Sequence, residues 1–83
     1  MDRQQVLEVV LKHFRLNVDG LEGREIDFSK SMAEFGASSL DIVEVVSGSL
    51  RELRIRVART ELAELKNIDA LVDLLTTIKN RAS

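Results

Sequence analysis

The sequence predicts an all-α fold, a small four-helix bundle of three longer helices and one short third helix with a long first loop. Three observations carry that expectation. Apolar residues recur at intervals of three and four in separate segments near the start, middle and end of the chain. A residue able to cap a helix stands before each of them. The one alternating stretch, Arg54-Ile55-Arg56-Val57, has no partner strand elsewhere, so no sheet is expected.

Asp2 followed by Gln5 resembles a helix-opening box, and Val6, Leu7, Val10, Leu11 and Phe14 then follow at helical spacing, predicting a first helix over about residues 3 to 16. His13 lies beside its apolar face. With no second ligand or acid/base partner spaced to join it, it reads as a packing or surface residue. From Asn17 to Glu34 the periodicity fails. Gly20, Gly23 and mixed charges separate Leu16, Val18, Leu21, Ile26, Phe28 and Met32, which are expected to pin this connection across the helices. Residues Ser29 to Glu34 can form a single turn before Gly36.

The second helix is expected from Ser39 to about Leu53, with Ser38 and Asp41 forming a capping box and Ser39 as the first helical residue. Val43, Val46, Leu50 and Leu53 are the expected buried stripe, and Asp41, Glu44, Gly48 and Arg51 an exposed row. Gly48 costs such a helix ~1 kcal/mol relative to alanine, which leaves open a close approach or simple tolerance. Arg54 to Val57 reads as an extended connection with Ile55 and Val57 inward. Thr60 can cap a short third helix running to Glu64 or Leu65. Asn67 can cap a fourth, whose face is Ile68, Leu71, Val72, Leu75 and Ile78, with Asp69 near its start and Lys79 and Arg81 near its end, as the helix dipole favours.

The 83 residues, 45% hydrophobic and 31% charged, fit one domain over residues 1–83 and leave no room for a second. Domains near this size bury only roughly 60 to 65% of their unfolded surface, so the core must come from well-packed helices. No cysteine is present to staple it or to supply a thiolate. A net charge of −2 gives no general attraction to nucleic acid or an anionic membrane. Arg51, Arg54, Arg56 and Arg59 lack interleaved aromatics and read as a solvated face rather than a nucleic-acid patch. The opening Met1-Asp2-Arg3-Gln4-Gln5 is not a secretory pattern, and no apolar run approaches the ~20 residues of a membrane span. The expected location is cytoplasmic without membrane insertion, and nothing requires a second copy, so a monomer is expected.

The chain is poor in catalytic chemistry. It has one histidine and no cysteine, tyrosine or tryptophan. Ser39 has no evident base to activate it and lacks the nucleophile turn of hydrolases. Gly20 and Gly23 have no phosphate-binding lysine pattern. A serine in the first turn of a helix has another use, because the free amides and positive dipole end there accommodate an esterified phosphate, worth ~0.3 to 1 kcal/mol at a surface.

Gly36-Ala37-Ser38-Ser39-Leu40-Asp41 resembles the G-x-D-S-L-D/E signature of the acyl carrier protein family. Ser39 is in the position that receives 4′-phosphopantetheine. Ile42 to Val46 continues like the family's second helix, and Thr60 to Leu65, Asn67-Ile68 and Leu71 to Leu75 are similar to its third and fourth. Ser38 stands where the family usually has aspartate. Both are good caps, so the departure bears on recognition by a phosphopantetheinyl transferase rather than on the backbone.

The resemblance implies a discrete carrier with no catalysis of its own. Phosphopantetheine from coenzyme A would be attached covalently to Ser39, and its thiol would hold acyl groups as thioesters for partner enzymes: an acyltransferase, a ketosynthase or an HMG-CoA-synthase-like enzyme. Leu40, Asp41, Glu44 and Arg51 are the expected partner-binding residues. Arg51 and Arg54 make the lower part of the helix less acidic than in many fatty-acid carriers, either selecting a specialised partner set or solvating the helix. Leu50 to Val57, Arg59 to Leu62 and Asn67-Ile68 resemble polyketide carriers, particularly the donors of β-branching cassettes, although Ala58 stands where those often have proline. That points to secondary-metabolite, antibiotic-type biosynthesis with an acetyl-type cargo. The alternatives are a fatty-acid, peptidyl, aryl or D-alanyl carrier, and, from other classes, an unmodified helical adaptor or a small hydrolase.

Overall fold

In the computed structural model, residues 2–21, 23–63 and 65–82 are described. They form α1 (Arg3–Asn17), a 3-10 turn (Met32–Phe35), α2 (Ser39–Leu53), α3 (Arg59–Ala63) and α4 (Ile68–Ala82), with no strand among them. The expected three longer helices and one short third helix are therefore present.

The start of α1 follows from two side chains. The Asp2 carboxylate accepts from the Gln5 amide at 2.8 Å, and the Gln5 side-chain oxygen accepts from the Asp2 amide at 3.1 Å. These satisfy donors that have no partner in the first helical turn. Val6, Leu7, Val10 and Phe14 are buried along one face. The helix stops at Asn17, whose side-chain amide donates back to the His13 carbonyl at 2.8 Å.

The long connection is held as expected by Val18, Leu21, Ile26 and Met32, all buried. Leu16 is not part of that anchor and is 72% exposed. It lies two positions, about 200° of helix rotation, from the inward-facing Phe14. Arg15 donates to the Leu21 carbonyl at 2.9 Å, and the Arg24 guanidinium lies 5.2 Å from the centre of the Phe35 ring, which meets Phe14 edge-on at 5.8 Å. The connection also closes α4. The Ile68 and Asp69 amides donate to the Lys30 and Phe28 carbonyls at 3.0 and 2.9 Å, and Asn67 accepts from the Ala70 amide at 2.7 Å.

The buried stripe of α2 differs from the expected one. Val45, Ser49 and Leu53 face the core, while Val46 and Leu50 are half-buried and Val43 is 56% exposed. Five of the helix's first eight residues are apolar, so hydropathy alone permits more than one facing. Ser49 resolves it, because its hydroxyl donates to the Val45 carbonyl at 2.8 Å and so enters the core without an unpaired donor. Gly48, placed on the exposed row by its spacing, is instead a close approach. An added Cβ would lie 2.5 Å from His13 Nδ1.

Ile55 is buried and Val57 half-buried in the extended connection, as expected. The third helix opens two residues earlier than its spacing implied, at Arg59 rather than Glu61. The Glu61 and Leu62 amides turn onto the Ala58 carbonyl, so Thr60 is the second helical residue rather than the cap. Of the two expected ends, Glu64 lies outside the described residues and Leu65 lies beyond the helix, which extends over Arg59–Ala63. Ile68, Leu71, Val72 and Leu75 of α4 are buried and Ile78 half-buried, and each fully buried side chain of this size contributes ~1.5 to 3 kcal/mol. Lys79 donates to the Leu53 carbonyl at 2.9 Å, tying α4 to the end of α2.

Candidate functional site

The approach to α2 is built from two capping boxes in tandem. Ser31 accepts from the Glu34 amide and Glu34 from the Ser31 amide, which forms the 3-10 turn expected before Gly36. Gly36 then takes a left-handed conformation with φ of 94°, where a side chain would be strained, and turns the chain outward. Ala37 and Phe35 are buried and anchor this turn on the core.

The second box divides the two adjacent serines. Ser38 Oγ accepts from the Asp41 amide at 3.1 Å, and Asp41 Oδ2 accepts from the Ser38 amide at 2.9 Å. Ser38 is consumed by the helix start. Ser39 is the first residue of α2, is exposed, and has no side-chain hydrogen bond among the described residues. Its hydroxyl stands beside amides of the first helical turn, where a phosphodiester meets free donors and the positive end of the helix dipole.

Leu40 is 69% exposed beside it, and Glu44 and Arg51 are exposed further along the helix. Asp41 is half-buried, and its carboxylate already closes the cap. Val43 is the residue that sequence reasoning missed. With Leu40 it puts two exposed apolar side chains one turn apart next to Ser39. The available signal was Ser49, whose ability to bond back to Val45 admits a serine to the core and turns Val43 outward. Beside the same helix lies a largely apolar groove of about 720 Å³, between Ile42, Val46 and Leu50 of α2, Leu62 of α3 and Leu71 of α4.

His13 is not drawn into this site. Its ring packs on Gly48 and its Nε2 lies 2.9 Å from Glu52, an acid that also pairs with Lys12. Packing was the expected role, but the partner is 39 positions away and invisible to local spacing. Lys12 first, and His13 second, hold the Glu52 carboxyl below its ordinary range. Among the described residues no group of acids and histidines is arranged to hold a metal, and no helix is long and apolar enough to cross a membrane.

The site is thus an unengaged serine at a helix start with apolar contacts beside it, and among the described residues no acid/base pair converges on it. The phosphopantetheine attachment site family matches residues 15–75, and the chain accordingly belongs to that family of carrier domains, with 4′-phosphopantetheine as cofactor and no catalysis of its own. It is similar to the polyketide biosynthesis acyl-carrier-protein AcpK of Bacillus subtilis (strain 168), with 31% identity over 75 residues, which are 90% of this chain and 92% of that protein. No solved structure matches it. A carrier of this family is served by partner enzymes, among them the transferase that attaches the group.

Proposed function

We propose that the chain is an acyl carrier of polyketide biosynthesis, formed as one domain over residues 1–83, in which Ser39 bears the phosphopantetheine arm. The observation that carries this is the division between the two serines: Ser38 is bonded into the cap, and Ser39 is exposed and unengaged on the first turn of α2. The transferase would form a phosphodiester at Ser39 Oγ, the serine losing its proton as the coenzyme A pyrophosphate bond breaks and the nucleotide leaves. The arm supplies a thiol on which acyl groups ride as thioesters. The protein supplies placement. First-turn amides face the phosphodiester, Leu40 and Val43 give partners an apolar contact, and Glu44 gives a charge for a basic surface to read. Asp41 acts mainly by holding the cap. Tethering raises the local acyl concentration at a docked partner's active site.

The polyketide assignment is supported by the similarity to AcpK and by the residues from Leu50 to Ile68. In this reading the protein is a cytoplasmic monomer that exchanges an acetyl-type unit with an acyltransferase, a ketosynthase or an HMG-CoA-synthase-like enzyme. Intact-mass measurement after incubation with coenzyme A and a promiscuous transferase tests the attachment. The wild type and Ser38→Ala should gain phosphopantetheine, and Ser39→Ala should not. An increment that survives Ser39→Ala would remove the assignment. The mass of the acylated protein from its own cells then reports the cargo.

A further inference from the structure

Arg51, Arg54, Arg56 and Arg59 are all exposed, and none has a carboxylate partner among the described residues. Arg3 pairs with Asp69 and Asp73, Lys12 with Glu52, and Arg15 donates to the Leu21 carbonyl; Lys66 and Arg81 are exposed without a carboxylate partner among the described residues, but each stands apart from this run of four arginines within nine residues. Glu52, next to Arg51 in sequence, is already taken by Lys12 and His13. Arg54 is unusual in a second way. It caps α2 in the left-handed conformation, with φ of 59° and ψ of 45°, the only non-glycine residue with positive φ among those described. Glycine fills that position with least strain, so an arginine there is a departure from what helix termination alone would favour.

We infer that the exposed face of α2, together with the connection and the head of α3 that follow it, is a two-pole docking strip, acidic at Glu44 near Ser39 and basic from Arg51 and the Arg54 cap on to Arg56 in the connection and Arg59 at the start of α3. The basic pole seats on an acidic patch of an enzyme that takes or delivers the carrier's acyl thioester. This rests on the carrier reading above and adds the partner's surface chemistry to it. Glu44 and Arg51 are seven positions apart and share one face of the helix, and Glu44 lies roughly 15 Å along the axis from Arg54. A partner with a basic patch by its active-site mouth and an acidic patch that far away is attracted at both poles, in one orientation. A uniformly basic partner is repelled at the arginine end. A polyanion is the poorer fit, because nucleic acid or an anionic bilayer would meet Glu44 on the same face, and the arginines have no aromatic neighbours for bases to stack on.

The test uses the holo protein, verified by intact mass, with the acyl-handling enzymes encoded beside it in its own genome. For at least one of them, charge reversal in Arg54→Glu/Arg56→Glu/Arg59→Glu should raise KM by roughly 10-fold or more with kcat within about threefold, and the wild-type KM should rise steeply with salt. Arg54→Gly separates docking from folding. It should raise the melting temperature by a few degrees and still raise KM about threefold, whereas a merely structural arginine would move only the first. KM values unmoved in a folded holo triple variant would overturn the strip alone. Unmoved KM values together with arginine-dependent binding to duplex DNA or phosphatidylglycerol vesicles would overturn it in favour of a polyanion. A chain that never accepts phosphopantetheine would overturn the carrier reading and the strip with it.

Discussion

Leu40 and Leu53 stand at opposite ends of α2 and have opposite uses. Leu40 is 69% exposed one residue after Ser39, and Leu53 is 1% exposed against the core. The start of the helix is shaped by neighbours in sequence: Gly36 turns the chain, Ser38 and Asp41 close the cap, and Ser39 is left outside. The end is shaped by distant residues, with His13 seated on Gly48, Lys12 and His13 on Glu52, and Lys79 on the Leu53 carbonyl. One helix therefore divides into an end that leaves a serine and a leucine exposed and an end that holds the bundle.

Truncating the two leucines gives the largest contrast. Leu53→Ala should cost ~2 to 5 kcal/mol in denaturant unfolding, and Leu40→Ala within ~0.5 kcal/mol, its loss showing instead in partner affinity. Equal stabilities would contradict the division. Gly48→Val comes next, at ~2 to 3 kcal/mol, because its side chain would enter the His13 ring. In a His13→Ala background the clash is gone, and Gly48→Ala should stabilise by about 1 kcal/mol through helix propensity, read from the shift in denaturant midpoint.

At the other end, Ser38→Ala should cost ~1 kcal/mol by removing the acceptor for the Asp41 amide, while Ser39→Ala leaves the melting temperature nearly unchanged. The smallest effect is a pH dependence. Glu52 has an ordinary carboxylate value of 4.5 when unfolded and a lower one when folded, so the native state favours its charged form. Its contribution is fully present above that value and is lost as pH falls through the folded one. Thermal melts of Glu52→Gln should lie below wild type at neutral pH and converge with it in acid. A gap that widens in acid would reverse the assigned sign.

The candidate attachment end was legible because its geometry is local. A capping box spans four residues, and both partners of the Ser38–Asp41 pair lie within that span. The same holds for Asp2 with Gln5 and Asn67 with Ala70. The facing of α2 was not legible. Ile42, Val43, Val45 and Val46 present apolar surface around much of the helix, and the expected stripe put Val43 inward where the fold puts Val45. Thr60 was read as a cap because it is a good one in isolation, yet the Ala58 carbonyl receives the first amides of α3.

By itself the sequence determined the helix starts at Asp2, Ser38 and Asn67, the anchoring of the first connection, and the presence of a serine signature at the head of α2, since each depends on contacts within a turn or on bare hydrophobicity. Only the tertiary structure decided which side of α2 faces the core, what Gly48 and His13 do to each other, and which arginines are left without partners. Those outcomes depend on side chains brought together from residues tens of positions apart, and local spacing contains no record of which of them meet.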